Sequence, residues 1–108
     1  MAITLTSKQR AYLRSLAQPM EPLFNVGKEK ITPELIKAID EALAKRELVK
    51  VGVLKNNDDD IRETAETVAA RTRSTLVQVM GRKFTLYKEA KKPKIELPKA
   101  GKKGNGQT

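Results

Sequence analysis

The stretch Leu48-Val49-Lys50-Val51-Gly52-Val53-Leu54 decides the fold, because it is the clearest β-strand in the chain. Three valines alternate along it, and β-branched residues favour strands. It follows a basic turn at Lys45-Arg46 and is too short for another helix. We therefore place a strand at residues 48–54 and interpret the flanking segments outward from it.

Upstream of this strand, Thr32-Pro33-Glu34 predicts the start of a helix that ends at Lys45-Arg46. The threonine hydroxyl can cap free amides, proline suits the first turn, and an acid near the positive end of the helix dipole is favourable. The apolar residues of this helix recur at helical spacing and predict a buried stripe, which consists of Leu35, Ile36, Ile39 and Leu43.

The N-terminal segment has the pattern of a capping box at Thr6-Ser7-Lys8-Gln9, which predicts a helix over about residues 7–18. Its buried face is predicted from four residues, Tyr12, Leu13, Leu16 and Ala17. Pro19 and Pro22 end the helix, since proline lacks the amide hydrogen. A short strand is predicted over residues 23–26, before Gly27.

Downstream of the central strand, Asp58-Asp59-Asp60 predicts the start of a helix over about residues 59–72. Three carboxylates could instead hold Mg²⁺ or Ca²⁺, but capping and the helix dipole explain them, and EF-hand spacing is absent. Two strands follow, at Thr75 to Met80 and Lys83 to Tyr87, and Gly81-Arg82 between them suits a hairpin turn. The prediction is an α/β fold of order α-β-α-β-α-β-β, with a mixed four-stranded sheet packed with three helices in a single compact domain.

The composition excludes much of catalytic chemistry. The 108 residues contain no Cys and no His, which removes disulfides, thiolate catalysis, Cys-ligated zinc and the usual base near pH 7. We expect no enzyme activity, metal, cofactor or small-molecule substrate. Because no apolar run approaches about 18 residues, we expect a cytoplasmic protein with no membrane partner. We also expect a monomer.

The net charge of +9 favours a nucleic-acid partner and is unevenly distributed. Residues 88–108 carry +5, and residues 1–87 carry +4. Prolines, glycines and lysines dominate the end of the chain, so we expect a folded domain over residues 1–98 and a basic, disordered tail over 99–108. Ile95 and Leu97 could fold back on an edge strand.

Three groups of basic residues could bind phosphate. The loop Gly27-Lys28-Glu29-Lys30 lies between a strand and a helix start, where free amides and the helix dipole favour an anion. Lys8, Arg10 and Arg14 are predicted to form an outward stripe on the first helix, and Arg82 and Lys83 lie in the hairpin. Each group is equally consistent with an ordinary solvated turn or helix face.

Four segments in this order resemble a known family: Leu5-Thr6-Ser7-Lys8-Gln9-Arg10, Pro22-Leu23-Phe24-Asn25-Val26-Gly27, Glu47-Leu48-Val49-Lys50-Val51, and Leu76 through Tyr87. Together with Ile95-Glu96-Leu97-Pro98, they resemble the chloroplast RNA splicing and ribosome maturation (CRM) domain in its short, bacterial YhbY-like form. The resemblance covers about residues 3–98. It implies a fold similar to the C-terminal domain of translation initiation factor three, without catalytic activity.

The resemblance also implies RNA binding, in association with large ribosomal subunit (50S) precursors. The family's RNA-contacting element is similar to a G-x-x-G loop, which here corresponds to residues 27–30, with Lys30 in place of the second glycine. We therefore interpret the chain as a non-catalytic RNA-binding protein whose partner is ribosomal RNA. The alternatives are a basic adaptor for an acidic protein, with incidental RNA binding, and a DNA-binding protein.

Overall fold

The computed structural model describes residues 5–28, 30–57, 59–90 and 95–98. The predicted order of elements is confirmed, with small differences at the ends where capping residues stand outside the helices. The elements in chain order are α1 (Ser7–Ala17), β1 (Phe24–Val26), α2 (Pro33–Arg46), β2 (Leu48–Val53), α3 (Ile61–Thr72), β3 (Thr75–Met80) and β4 (Lys83–Tyr87).

The four strands form one mixed sheet in the order β1-β2-β4-β3. β1 runs parallel to β2, whereas β4 pairs antiparallel with both β2 and β3. The carboxyl ends of β1 and β2 therefore lie at the same end of the sheet as the β3–β4 turn. We call this end, with residues 27–30, 54–57 and 81–82, the hairpin end.

The helices lie on both faces of the sheet, but unequally. Helices α2 and α3 pack against one face, where Ile39, Leu43 and Val68 join Val49 and Phe84 in the larger core. The predicted stripe of α2 is confirmed, since Ile39 and Leu43 are fully buried and its other two members are partly buried.

The opposite face, which we call the α1 face, carries the single helix α1. Leu13 and Ala17 pack there against Leu48, Val77 and Tyr87 in a second, smaller core. One 11-residue helix is too short and narrow to cover a four-stranded sheet, so part of this face has no helix over it.

The prediction that Tyr12 lies on the buried face of α1 is wrong. Leu13 and Ala17 are fully buried, whereas Tyr12 remains 37% exposed. Successive residues point about 100° apart on a helix, and α1 meets the flat sheet along a narrow stripe that includes Leu13 but not its neighbour. An aromatic side chain is therefore presented at the surface beside the helix's basic residues.

The end of the domain folds back over the second core. Ile95 and Leu97 pack against it, and the buried carboxylate of Glu47 accepts a 2.9 Å hydrogen bond from the Ile95 amide. Gln9 of the confirmed capping box also donates to the carbonyl oxygen of Pro98, at 3.0 Å. The prediction that Ile95 and Leu97 fold back on an edge strand is confirmed in part: they pack beside Val77 of the edge strand β3 without adding a strand to the sheet. The predicted tail at 99–108 lies outside the described residues.

Across the described ranges, none of the three helices has the length and apolar character needed to span a bilayer.

Candidate nucleic-acid interface

The loop after β1 is a tight turn closed by its own backbone. The amide of Lys30 donates a 2.9 Å hydrogen bond to the carbonyl oxygen of Gly27, and Lys30 has a φ of 65°. Glycine adopts this left-handed conformation without cost, whereas a residue with a Cβ is strained there. Lys30 thus has a backbone conformation that glycine favours.

The cations of this loop differ in their surroundings. Lys30 Nζ lies 3.1 Å from Asp59 Oδ1, and both side chains are partly exposed, so the acid offsets part of the lysine charge. Lys28 is exposed. Exposed ion pairs are weak in water, and Lys30 can exchange Asp59 for another anion at little cost. Both lysines can therefore contact an anionic ligand.

A neighbouring turn holds this loop in place. The side-chain amide of Asn57, which is only 2% exposed, donates a 3.0 Å hydrogen bond to the carbonyl oxygen of Gly27. The same side chain accepts a 2.8 Å hydrogen bond from the amide of Asp59. Leu54 joins the two segments through a backbone hydrogen bond to Val26. The turn at residues 54–57 and the loop at 27–30 are therefore one linked unit.

Arg82 connects the hairpin to this unit. Its Nε donates to the carbonyl oxygen of Val53 at 3.0 Å, and one terminal nitrogen donates to Leu54 at 2.6 Å and Asn57 at 3.0 Å. The guanidinium thus binds carbonyl groups where β2 ends, which gives Arg82 a structural role beside the phosphate contact predicted for it. Lys83, the next residue, is exposed.

The prediction that the cations of α1 form an outward stripe needs correction at Arg10. One terminal nitrogen of Arg10 donates to the carbonyl oxygens of Leu76, at 2.8 Å, and Val77. An irregularity in the β3–β4 register between Leu76 and Gln78 turns these carbonyls away from regular pairing, and the guanidinium satisfies them. Lys8 and Arg14 are exposed as expected.

The predicted residues therefore fall into two groups. Gly27, Lys28, Lys30, Arg82 and Lys83 come together at the hairpin end, although they are far apart in sequence. Lys8, Arg10 and Arg14 lie along α1, which packs against the opposite ends of β2 and β4. The group at the hairpin end has five of the predicted residues, and hydrogen bonds from Asn57 and Arg82 hold its loops together.

A groove beside the hairpin end was missed by sequence reasoning. It has a volume of about 410 Å³ and includes Gln18, Lys50 and Gln78 together with Arg82 and Lys83. Lys50 gave the only sequence signal, because it is a charged residue inside an otherwise apolar strand. Gln18 comes near Lys50 because α1 docks on the sheet. Gln78 comes near it because β4 pairs with β2 on one side and with β3 on the other.

Asp59 and Asp60, the described acidic residues near the hairpin end, each have a partner within the protein. Asp60 caps α3 by accepting from the amides of Arg62, at 2.8 Å, and Glu63, at 3.3 Å, while Asp59 pairs with Lys30. Capping by Asp60 is thus confirmed, and Asp58 lies outside the described residues. Among the residues with described side chains, no cluster of three or more acidic groups is arranged to hold a metal ion.

The chain is similar to several known proteins over most of its length. It is 48% identical over 95 residues to "Probable RNA-binding protein YqeI" of Bacillus subtilis, and the match covers 87% of this chain and 99% of that protein. It is 29% identical over 96 residues to "RNA-binding protein" of Haemophilus influenzae, covering 89% and 97% of the two chains.

A solved structure and a family model agree with these matches. The solution structure of a hypothetical protein from Staphylococcus aureus, described as a candidate RNA-binding protein, has a TM-score of 0.75 and 52% identity. That match covers 88% of this chain and all of the other. The model of the CRS1/YhbY (CRM) domain matches residues 5–88, a range that contains α1 to α3 and β1 to β4. The chain therefore belongs to the CRS1/YhbY (CRM) domain family.

Proposed function

We propose that this protein is a non-catalytic RNA-binding protein that acts in the cytoplasm as a monomer. Its partner is ribosomal RNA in precursors of the large (50S) ribosomal subunit, where it serves as an assembly factor. Family membership and the RNA-binding names of two relatives support this proposal. The lack of His and Cys favours binding over catalysis.

One observation carries the proposal: two exposed lysines, Lys28 in the loop after β1 and Lys83 at the start of β4, lie beside one hydrogen-bonded frame. Arg82 and Asn57 provide that frame. Because the frame holds the backbone at both positions, the two lysines can meet phosphates with little further loss of loop entropy. Affinity would come mainly from phosphate neutralisation and from the shape of the RNA.

The test is a pair of matched double variants bound to a fragment of precursor ribosomal RNA. The first is Lys28→Gln with Lys83→Gln, at the hairpin end. The control is Lys45→Gln with Arg71→Gln, which removes two exposed cations from the opposite end of the sheet. Each pair changes the net charge equally, so a difference between the pairs reports position rather than charge.

We expect the hairpin-end variant to bind more weakly and to lose about 1.5 from the slope of log affinity against log salt concentration, at roughly 0.7–0.9 per phosphate contact. The control should change little. Equal effects from both pairs would overturn the hairpin-end assignment and leave only general electrostatic attraction.

The ribosomal assignment and the adaptor alternative are tested in cells. We expect the protein to co-sediment with large-subunit precursors, and nuclease treatment should release it from its partners. Retention of a protein partner after nuclease treatment would favour the adaptor, and stronger competition by duplex DNA than by structured RNA would favour a DNA-binding protein.

A further inference from the structure

Two side-chain rows of the α1 face lie beyond the second core, in which α1 packs against Leu48, Val77 and Tyr87. In the first row, Thr85 of β4 lies in register with Lys50 on one side and Gln78 on the other. In the second row, Lys83 lies in register with Met80. Alternation along the strands places both rows on the face that carries α1. The docked part of α1 covers the rows nearer to Tyr87.

These rows form the floor of the groove of about 410 Å³ described above, with Gln18 at the end of α1 as part of its wall. This volume falls within the range of about 300–1,000 Å³ that is usual for small-ligand sites. The site is therefore large enough for one nucleotide unit but not for the width of a double helix.

The charges of the groove suit an anion. Among the described residues, its lining contains three cations, Lys50, Arg82 and Lys83, and no acidic residue. Lys50 Nζ donates to the carbonyl oxygen of Met20 at 2.9 Å, and Arg82 binds the end of β2, so these two positive charges are held in place. Lys83 is exposed at the rim, where it can meet a phosphate group.

The uncharged groups of the groove suit a nucleobase better than they suit an acidic peptide. Gln18 and Gln78 each offer an amide with donor and acceptor atoms, which can pair with the edge of a base. Met80 is 60% exposed, and its flexible thioether can pack on the flat face of a ring. An acidic peptide would use the cations and could pair its backbone amides with the glutamines, but its Asp and Glu side chains offer no flat ring to pack against the thioether.

From this combination we propose that the groove binds a single unstacked nucleotide of single-stranded RNA, with its base against Met80 and the two glutamines and its phosphate near Lys83. The inference rests on the proposed RNA-binding function and adds that the protein requires an unpaired nucleotide. A base inside an A-form helix cannot enter, because its edges are held within the duplex grooves.

The first test uses the unaltered protein with ¹³C-labelled methionine methyl groups. Met80→Ala assigns the Met80 signal by its disappearance. We expect a single-stranded octanucleotide to shift the Met80 methyl signal and an RNA duplex of equal length to leave it in place. Equal shifts with both ligands, or no shift with an octanucleotide that does bind, would overturn the proposal.

The second test compares binding of a hairpin RNA with an eight-nucleotide unpaired loop and binding of a fully paired duplex. We expect Gln78→Ala and Met80→Ala each to weaken loop binding by about two- to tenfold, as for the loss of one hydrogen bond or packing contact, with less than twofold change for the duplex. The control is Leu23→Ala, which truncates a 46% exposed apolar side chain that does not line the groove.

The outcomes separate the two proposals. If the unaltered protein binds neither RNA, the proposed function fails and this inference fails with it. If it binds RNA but the groove variants match the Leu23 control, only the nucleotide groove is overturned. If polyglutamate displaces the loop RNA and itself shifts the Met80 signal, the groove is a site for acidic peptides instead.

Discussion

The side-chain amide nitrogen of Asn57 lies 3.0 Å from the carbonyl oxygen of Gly27 and donates a hydrogen bond to it. The two residues are 30 positions apart, yet this bond joins the loop that carries Lys28 to the turn that Arg82 holds from the other side. The basic residues of the hairpin end therefore share one frame, and the frame can be tested apart from the charges.

Asn57→Ala should destabilise the protein by about 1–3 kcal/mol, because it removes a buried side chain that hydrogen-bonds to the partly buried Gly27 carbonyl and Asp59 amide. Urea denaturation measures this change in the free energy of unfolding. The control is Asn56→Ala at the exposed neighbouring position, where we expect a change within about 0.5 kcal/mol. A similar loss for both variants would show that the Asn57 side chain does not hold the loop.

Lys30→Gly should give a more stable protein than Lys30→Ala, by about 1 kcal/mol. Both variants remove the ion pair with Asp59, but only glycine relieves the strain of a φ of 65°. The same comparison at Lys28, whose φ is not positive, should favour alanine instead. Thermal and urea denaturation of the four variants measure the difference, and an equal preference at both positions would contradict the strained turn.

Arg10→Met should cost about 1–3 kcal/mol of folding free energy, because it removes charged hydrogen bonds to the carbonyl oxygens of Leu76 and Val77 at the irregularity in β3. Arg14→Met removes the same charge from an exposed position on the same helix and should have little effect. Amide hydrogen exchange in β3 provides a second measurement, since we expect faster exchange only in the Arg10 variant. Equal stabilities would indicate that Arg10 is a surface cation.

Tyr87→Phe should reduce the loss of stability at alkaline pH. Burial raises the pKa of the Tyr87 hydroxyl, and the negative charges of Glu89 and Glu47 add to the effect. The unfolded state therefore loses this proton first, so the contribution of neutral Tyr87 is complete below about pH 10 and declines as pH rises through the folded-state pKa.

The same variant also removes a buried polar atom, because the Tyr87 hydroxyl has no hydrogen-bond partner among the described residues. At pH 7 we expect Tyr87→Phe to be neutral or to stabilise by up to about 1 kcal/mol. The matched control is Tyr12→Phe at a 37% exposed position. It should change neither the stability at pH 7 nor the loss of stability at alkaline pH. Unfolding measured by urea between pH 7 and pH 11 tests both expectations, and parallel curves for Tyr87→Phe and the unaltered protein would contradict them.

Local interactions explain which parts of the fold could be predicted. The capping box at Thr6, the proline after Thr32 and the glycine in the hairpin act within a few residues, so the element order followed from spacing alone. Tyr12 was misplaced because a helical stripe defines a face only to within about one residue. Which neighbour is buried depends on how the helix meets the sheet.

The sequence by itself determined the element order, the basic character and the loop at residues 27–30, because periodicity, capping and composition are local properties. Only the tertiary structure decided what the cations do. Arg10 and Arg82 bind carbonyl oxygens on strands 66 and 29 residues away, and Lys50, Gln18 and Gln78 meet in one groove. Such contacts depend on the order of the strands and on how the helices dock. Side chains from distant segments establish both together, so no short stretch of sequence predicts them.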